Sequence, residues 1–170
     1  MTVWLEVKTM KGSATTPGTA ELVLVLEGER ASIVDSASES IRGSRTHYGA
    51  EGQDEIRRRI ETLYEKLLEA ISSRDLSGVV DYARRLAAGR FQAGYDLSEV
   101  QSAFNAIEEA TWACVCARLD PDSLALSLGL VSTVLGTAKD ALAREYVSLA
   151  SQTHVPSLDM RALFSGGAGA

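Results

Sequence analysis

Leu124, Leu128, Val131, Leu135, Ala138, Leu142, Tyr146 and Leu149 recur at alternating steps of four and three. This spacing keeps one face of an α-helix apolar over most of its length and fits no strand, whose period is two. Asp120-Pro121 marks the start, because proline at the first helical position forfeits an N–H that had no partner. Leu126, Leu130, Val134 and Ala141 form a second strip beside the first, so the apolar arc is wider than one neighbour needs. The helix is therefore expected to be central, and either covered on two sides or engaged in a dimer. Gly129 and Gly136, one heptad apart, predict a close helix crossing on yet another side.

The preceding segments read the same way. Asp96 with Glu99 three residues on, and Tyr95 placed to pack on Val100, form a capping box with a hydrophobic staple. Behind this start, Val100, Phe104, Ile107, Thr111, Cys114 and Val115 make an apolar stripe. Ala106, Ala110, Ala113 and Ala117 make a small-residue strip suited to close approach by another helix. Glu55 to Ser72 is helical through Ile56, Ile60, Leu63, Leu67 and Ile71, with Arg57, Arg58 and Arg59 read as a solvated face beside Glu55 and Glu61. Asp75 can cap a helix that buries Val79, Ala83 and Leu86 and stops at Gly94. From Thr19 to Ile41 a helix bent at Gly28 is favoured, although Leu22-Val23-Leu24-Val25-Leu26 also suits a buried strand.

The expected fold class is thus all-α, a bundle of about five to six helices over residues 19–151. Segments 1–18 and 152–170, rich in small and polar residues, are expected to be flexible. At 170 residues and 45% hydrophobic, one core suffices without disulfide or metal. The net charge of −6, with no basic helix face, argues against nucleic acid as a partner. No signal-peptide pattern and no run of roughly 18 apolar residues is read, so a cytoplasmic protein without a membrane partner is expected. Cys114 and Cys116 point about 200° apart on a helix, cannot bridge each other, and are expected to be buried thiols.

Three residues stand out as contacts for a ligand or partner. Arg90 occupies the inner side of its helix, where a charge must find a partner such as Asp96, Glu99 or Glu108, or else lie at the rim. Glu108 is that candidate partner; beside Glu109 it makes no acid–base couple, since adjacent helical residues diverge by 100°. Trp112 lies outside both stripes, as an interface anchor or as packing beneath a loop. No phosphate-binding glycine motif is present. The serines from Ser32 to Ser44 have no histidine in helical register, and His47 just beyond them leaves only a weak nucleophile reading. His47 and His154 lack neighbours at metal-ligand spacing. A metal, a catalytic residue and an enzymatic activity are not expected.

Ile33-Val34, His47-Tyr48, Leu86-Ala87 through Arg90-Phe91, and Ala93-Gly94-Tyr95-Asp96-Leu97-Ser98-Glu99-Val100 resemble the N-terminal non-haem globin domain of stressosome proteins of the RsbR and RsbRD type. Phe104 through Ala110 and Ala141 through Tyr146 also look like related modules ahead of sensor kinases. The resemblance covers about residues 20–150 and rests on packing and capping patterns. It implies a dimeric globin-like domain without haem that receives a signal and passes it to an output domain. It lends no catalytic residue. In those proteins a STAS or kinase domain follows, whereas here about twenty mostly small and polar residues follow Leu149. The expected partners are therefore a second copy of the chain and a separate signalling or output protein, unless the domain acts alone as a dimerising or titrating factor. Haem would need an axial ligand held over a pocket from within a helix, and His47 in a loop and His154 beyond the last helix do not offer one. No cofactor is expected. The competing reading is a carrier or sensor of a small apolar ligand, such as a fatty acid whose carboxylate meets Arg90.

Overall fold

The computed structural model describes residues 17–42 and 52–153. His47, Tyr48 and His154, and most of the two terminal segments, lie outside the described residues. Six helices follow one another: α1 (Pro17–Gly28), α2 (Arg30–Arg42), α3 (Gln53–Ser73), α4 (Ser77–Gln92), α5 (Leu97–Arg118) and α6 (Pro121–Thr153). No strand occurs among the described residues.

Residues 22–26 are helical, and their burial shows why. In a strand Leu22, Leu24 and Leu26 would share one face. Instead Leu22 and Leu26 are fully buried while Leu24 is 69% exposed, as a step of four requires. The bend expected at Gly28 falls at Glu29. Helical hydrogen bonds continue across it, from Glu29 N–H to the Val25 carbonyl and from Ile33 N–H to the Glu29 carbonyl, both 3.0 Å. The expected single helix thus becomes two, and Arg118 at the end of α5 reaches Glu29 at the bend, 2.7 Å away.

α4 and α5 are joined by a turn whose chemistry is local. Gly94 takes φ +81°, the left-handed conformation that costs glycine least. The Tyr95 N–H then donates to the Arg90 carbonyl (3.0 Å) and the Gly94 N–H to the Phe91 carbonyl (3.1 Å), a Schellman closure. Asp96 and Glu99 make the capping box that starts α5, with the Asp96 N–H donating to Glu99 Oε2 at 2.9 Å. α4 opens one residue later than a direct Asp75 cap would place it, yet Asp75 Oδ1 still accepts from the Ser77 N–H at 2.9 Å.

α6 packs along α4 and α5, and α2 lies on α5. Val131, Leu135, Ala138 and Leu142 of α6 are fully buried with Phe104 and Ile107 of α5 and Tyr64 and Leu67 of α3. Of the alanine strip on α5 only Ala106 is buried; Ala110, Ala113 and Ala117 border an open groove against Ser32, Ile33 and Ser36 of α2, and Ala113 and Ala117 are exposed, so the close approach expected along the whole strip is made only at its start. The three arginines at the start of α3 are matched by carboxylates: Arg57 by Asp35 of α2, Arg58 and Arg59 by Glu55. Arg30 likewise reaches Glu65 of α3. Exposed pairs of this kind contribute about 0–1 kcal/mol each and orient α2 on α3 more than they stabilise it.

Candidate functional site

Arg90 sits in the last turn of α4 and is 7% exposed. The Schellman turn folds Tyr95 back so that the Arg90 guanidinium lies 4.7 Å above the centre of its ring, a cation–π contact. Tyr146 of α6 closes the same corner. Its hydroxyl donates to the Tyr95 carbonyl (3.3 Å), and its ring meets Phe91 edge-on with centroids 5.7 Å apart.

Asp96 and Glu99 make the capping box, and Glu108 accepts from Lys139 Nζ of α6 at 2.6 Å. Lys139 also donates to Asn105 Oδ1 at 3.2 Å. This bridge is mostly buried and fixes α5 against α6; the sequence reading overlooked it, because 31 residues separate the partners.

Arg90 and Arg59 border a cavity floored by Ile41, Ile56, Ile60, Leu63, Leu86 and Ala103, with Tyr82 at its side. Burial pushes the Tyr82 phenol above its ordinary range, against the opposing pull of Arg90, Arg59 and Arg58. The room inside is about 20 Å³, enough for one water molecule and too little for an acyl chain. Neither Glu108 nor Trp112 lines it. The three residues singled out in the sequence therefore do not form one site.

Glu108 and Trp112 lie four apart on α5 and share a face. Trp112 is 42% exposed. Cys116, a further four on, is exposed, which corrects the expectation that both thiols are buried; Cys114 is partly buried, and burial raises its thiol pKa. The crossing expected at Gly129 and Gly136 is not made among the described residues, where no neighbouring element comes within 4 Å of a Cβ built at either position.

The second strip of α6 is split. Val134 and Ala141 are buried, whereas Leu126 is 44% exposed. Leu126, Leu130 and Val134 face Thr19, Ile71 and Leu76 across an apolar groove of about 370 Å³. By length and composition α6 is apolar enough to cross a membrane, a property the sequence reading did not assign to it. A third of its most apolar window is buried inside the fold.

Residues 31–155 match the family model described as the RsbT co-antagonist protein rsbRD N-terminal domain. No curated protein matches the chain significantly. Among solved structures it is similar to the globin domain of E. coli DosC in its ferrous form, with TM-score 0.63 and 8% identity, over 78% of this chain and 91% of that one. At that identity the likeness shows the globin fold alone.

Proposed function

Because the chain belongs to the rsbRD N-terminal domain family, we propose that it is a non-enzymatic regulatory domain of bacterial stress signalling. In this reading residues 19–151 work in the cytoplasm as a homodimer, receive a signal, and pass it by contact to a separate signalling or output protein. The family match over residues 31–155 carries the reading. The surface supports it, with Trp112, Leu126 and a pair of open glycines facing outward on α5 and α6.

The family description names RsbT, so the test is calorimetric titration of the purified chain with RsbT and, separately, with a STAS-domain output protein from the same cell. Saturable binding to either supports the proposal. A folded chain that binds neither at about 100 μM, a concentration at which even a weak regulatory contact registers, counts against it. The apolar-ligand reading comes second. It is favoured by two guanidiniums beside an apolar cavity, but it requires helices α2–α5 to part well beyond the space for one water. Organic extraction of purified protein followed by mass spectrometry tests it, and a stoichiometric fatty acid would move it to first place.

A further inference from the structure

We propose that the apolar groove between α1, α3 and α6 is the seat of this chain's own N-terminal segment, filled by Trp4 and Leu5. The inference goes beyond the regulatory reading above and depends on neither a homodimer nor an output protein.

The groove of about 370 Å³ is lined by Thr19 of α1, Ile71 of α3, Leu76 just before α4, and Leu126, Leu130 and Val134 of α6. Leu126 is 44% exposed, and Leu76 and Leu130 are half-buried. Single exposed apolar side chains are ordinary on a soluble domain, whereas several around one hollow mark a contact surface. The volume lies at the low end of the roughly 300–1,000 Å³ that ligand pockets enclose. It suits one or two large side chains and is too small for a further helix.

The sequence before α1 carries such side chains. Val3, Trp4, Leu5, Val7 and Met10 fall within eight positions, and Lys11-Gly12-Ser13-Ala14-Thr15-Thr16 links them to Pro17. The chain enters α1 at the rim of the groove: Thr19 lines it, and a Cβ added at Gly18 would come 3.2 Å from Leu126 Cδ2. From Trp4 to Pro17 the chain can extend to roughly 43 Å, so the link has slack to fold back over the groove. A buried tryptophan removes about 150–250 Å² from water, the largest gain any one of these side chains offers. Residues 1–16 precede the family match over residues 31–155, so the family pattern does not supply this contact.

The position of the groove selects this segment over other occupants. Tyr48 is the one large apolar side chain between Arg42 and Gly52 and reaches at most about 18 Å from Gln53. Ile71 lies roughly 27 Å along α3 from that residue, at 1.5 Å per residue. At the other end of the chain Phe164 gains Leu126 only at full extension, because about 40 Å of α6 separates Leu126 from Thr153. A second copy or a foreign peptide arrives at its bulk concentration. A segment tethered at the rim meets the groove at an effective concentration on the order of millimolar.

Trp4 and Trp112 are the two tryptophans of the chain, so in full-length Trp112→Phe all tryptophan emission reports on Trp4. The test is acrylamide quenching of that emission, with circular dichroism as the check on folding. We expect Trp4 to be shielded in the folded protein, blue-shifted from its emission in urea, and unchanged by Leu24→Gln at an exposed site outside the groove. Leu126→Gln is expected to weaken the seating roughly tenfold and to return quenching toward the level in urea, with the helix signal retained. Leu76→Gln gives a second reading should Leu126→Gln fail to fold. Quenching as ready in the folded protein as in urea would overturn the proposal, and so would shielding that survives both groove substitutions. Shielding that fades on dilution would assign the groove to a second copy instead.

Discussion

Tyr64 is fully buried in α3, and its hydroxyl donates to the Leu26 carbonyl of α1 at 2.7 Å. Phenylalanine fills the same space but leaves that carbonyl short of a donor, so Tyr64→Phe is expected to cost about 1 kcal/mol in urea unfolding. Burial also drives the phenol far above its ordinary value of 10.0. A group whose folded pKa is raised contributes stability in full below its unfolded value and loses it as pH rises toward the folded one. The advantage of wild type over Tyr64→Phe should therefore hold to about pH 10 and shrink above it; an advantage constant to pH 11 would contradict the linkage. Asp75 has the opposite sign. The Ser77 N–H and hydroxyl hold its carboxyl below the usual aspartate value of 3.8. That contribution is present above pH 3.8 and is lost as pH falls through the folded value. Thermal melts from pH 5 to 2 should show wild type and Asp75→Asn converging as acid is added.

Elements differ in how far their sequence announces them, and the α4–α5 turn is the most explicit. Gly94, Tyr95, Asp96 and Glu99 act within six consecutive residues, so the cap, the left-handed glycine and the staple can all be read without tertiary knowledge. Gly94→Ala places a Cβ in the left-handed conformation and is expected to cost about 1–2 kcal/mol. Urea denaturation should show this as a lower midpoint with an unchanged slope; a neutral substitution would mean the turn relaxes to another geometry. Long-range pairings were not legible. Arg90 was correctly placed on the inner side of α4, but that its guanidinium would stack on Tyr95 depends on how the turn folds back. Glu108 is one of three carboxylates the sequence offers Arg90, beside Asp96 and Glu99, while its bridge to Lys139 depends on the α5–α6 register, which no local pattern sets. The split at Glu29 escaped for a related reason, since hydrogen bonds continue through the bend and only packing decides its place.

At the scale of the whole molecule, the globin fold here encloses little space beside Arg90, about 20 Å³, and leaves an apolar groove of about 370 Å³ open along α6. The width of that apolar arc was legible in the periodicity of Leu124 to Leu149. Which side stays open was not, because it depends on where α1 and α3 end against Leu126 and Leu130. A domain that folds and dimerises in one step has a melting temperature that rises with protein concentration, since dilution favours two unfolded chains over one folded dimer. With about 0.7 kcal/mol of unfolding enthalpy per ordered residue, two copies of this size absorb on the order of 180 kcal/mol. A tenfold increase in concentration should then raise the midpoint by roughly 3 °C. Calorimetry at about 10 and 100 μM separates the cases by this shift: a wild-type midpoint indifferent to concentration would place the stability in the single chain, and α6 would then owe none of it to a second copy.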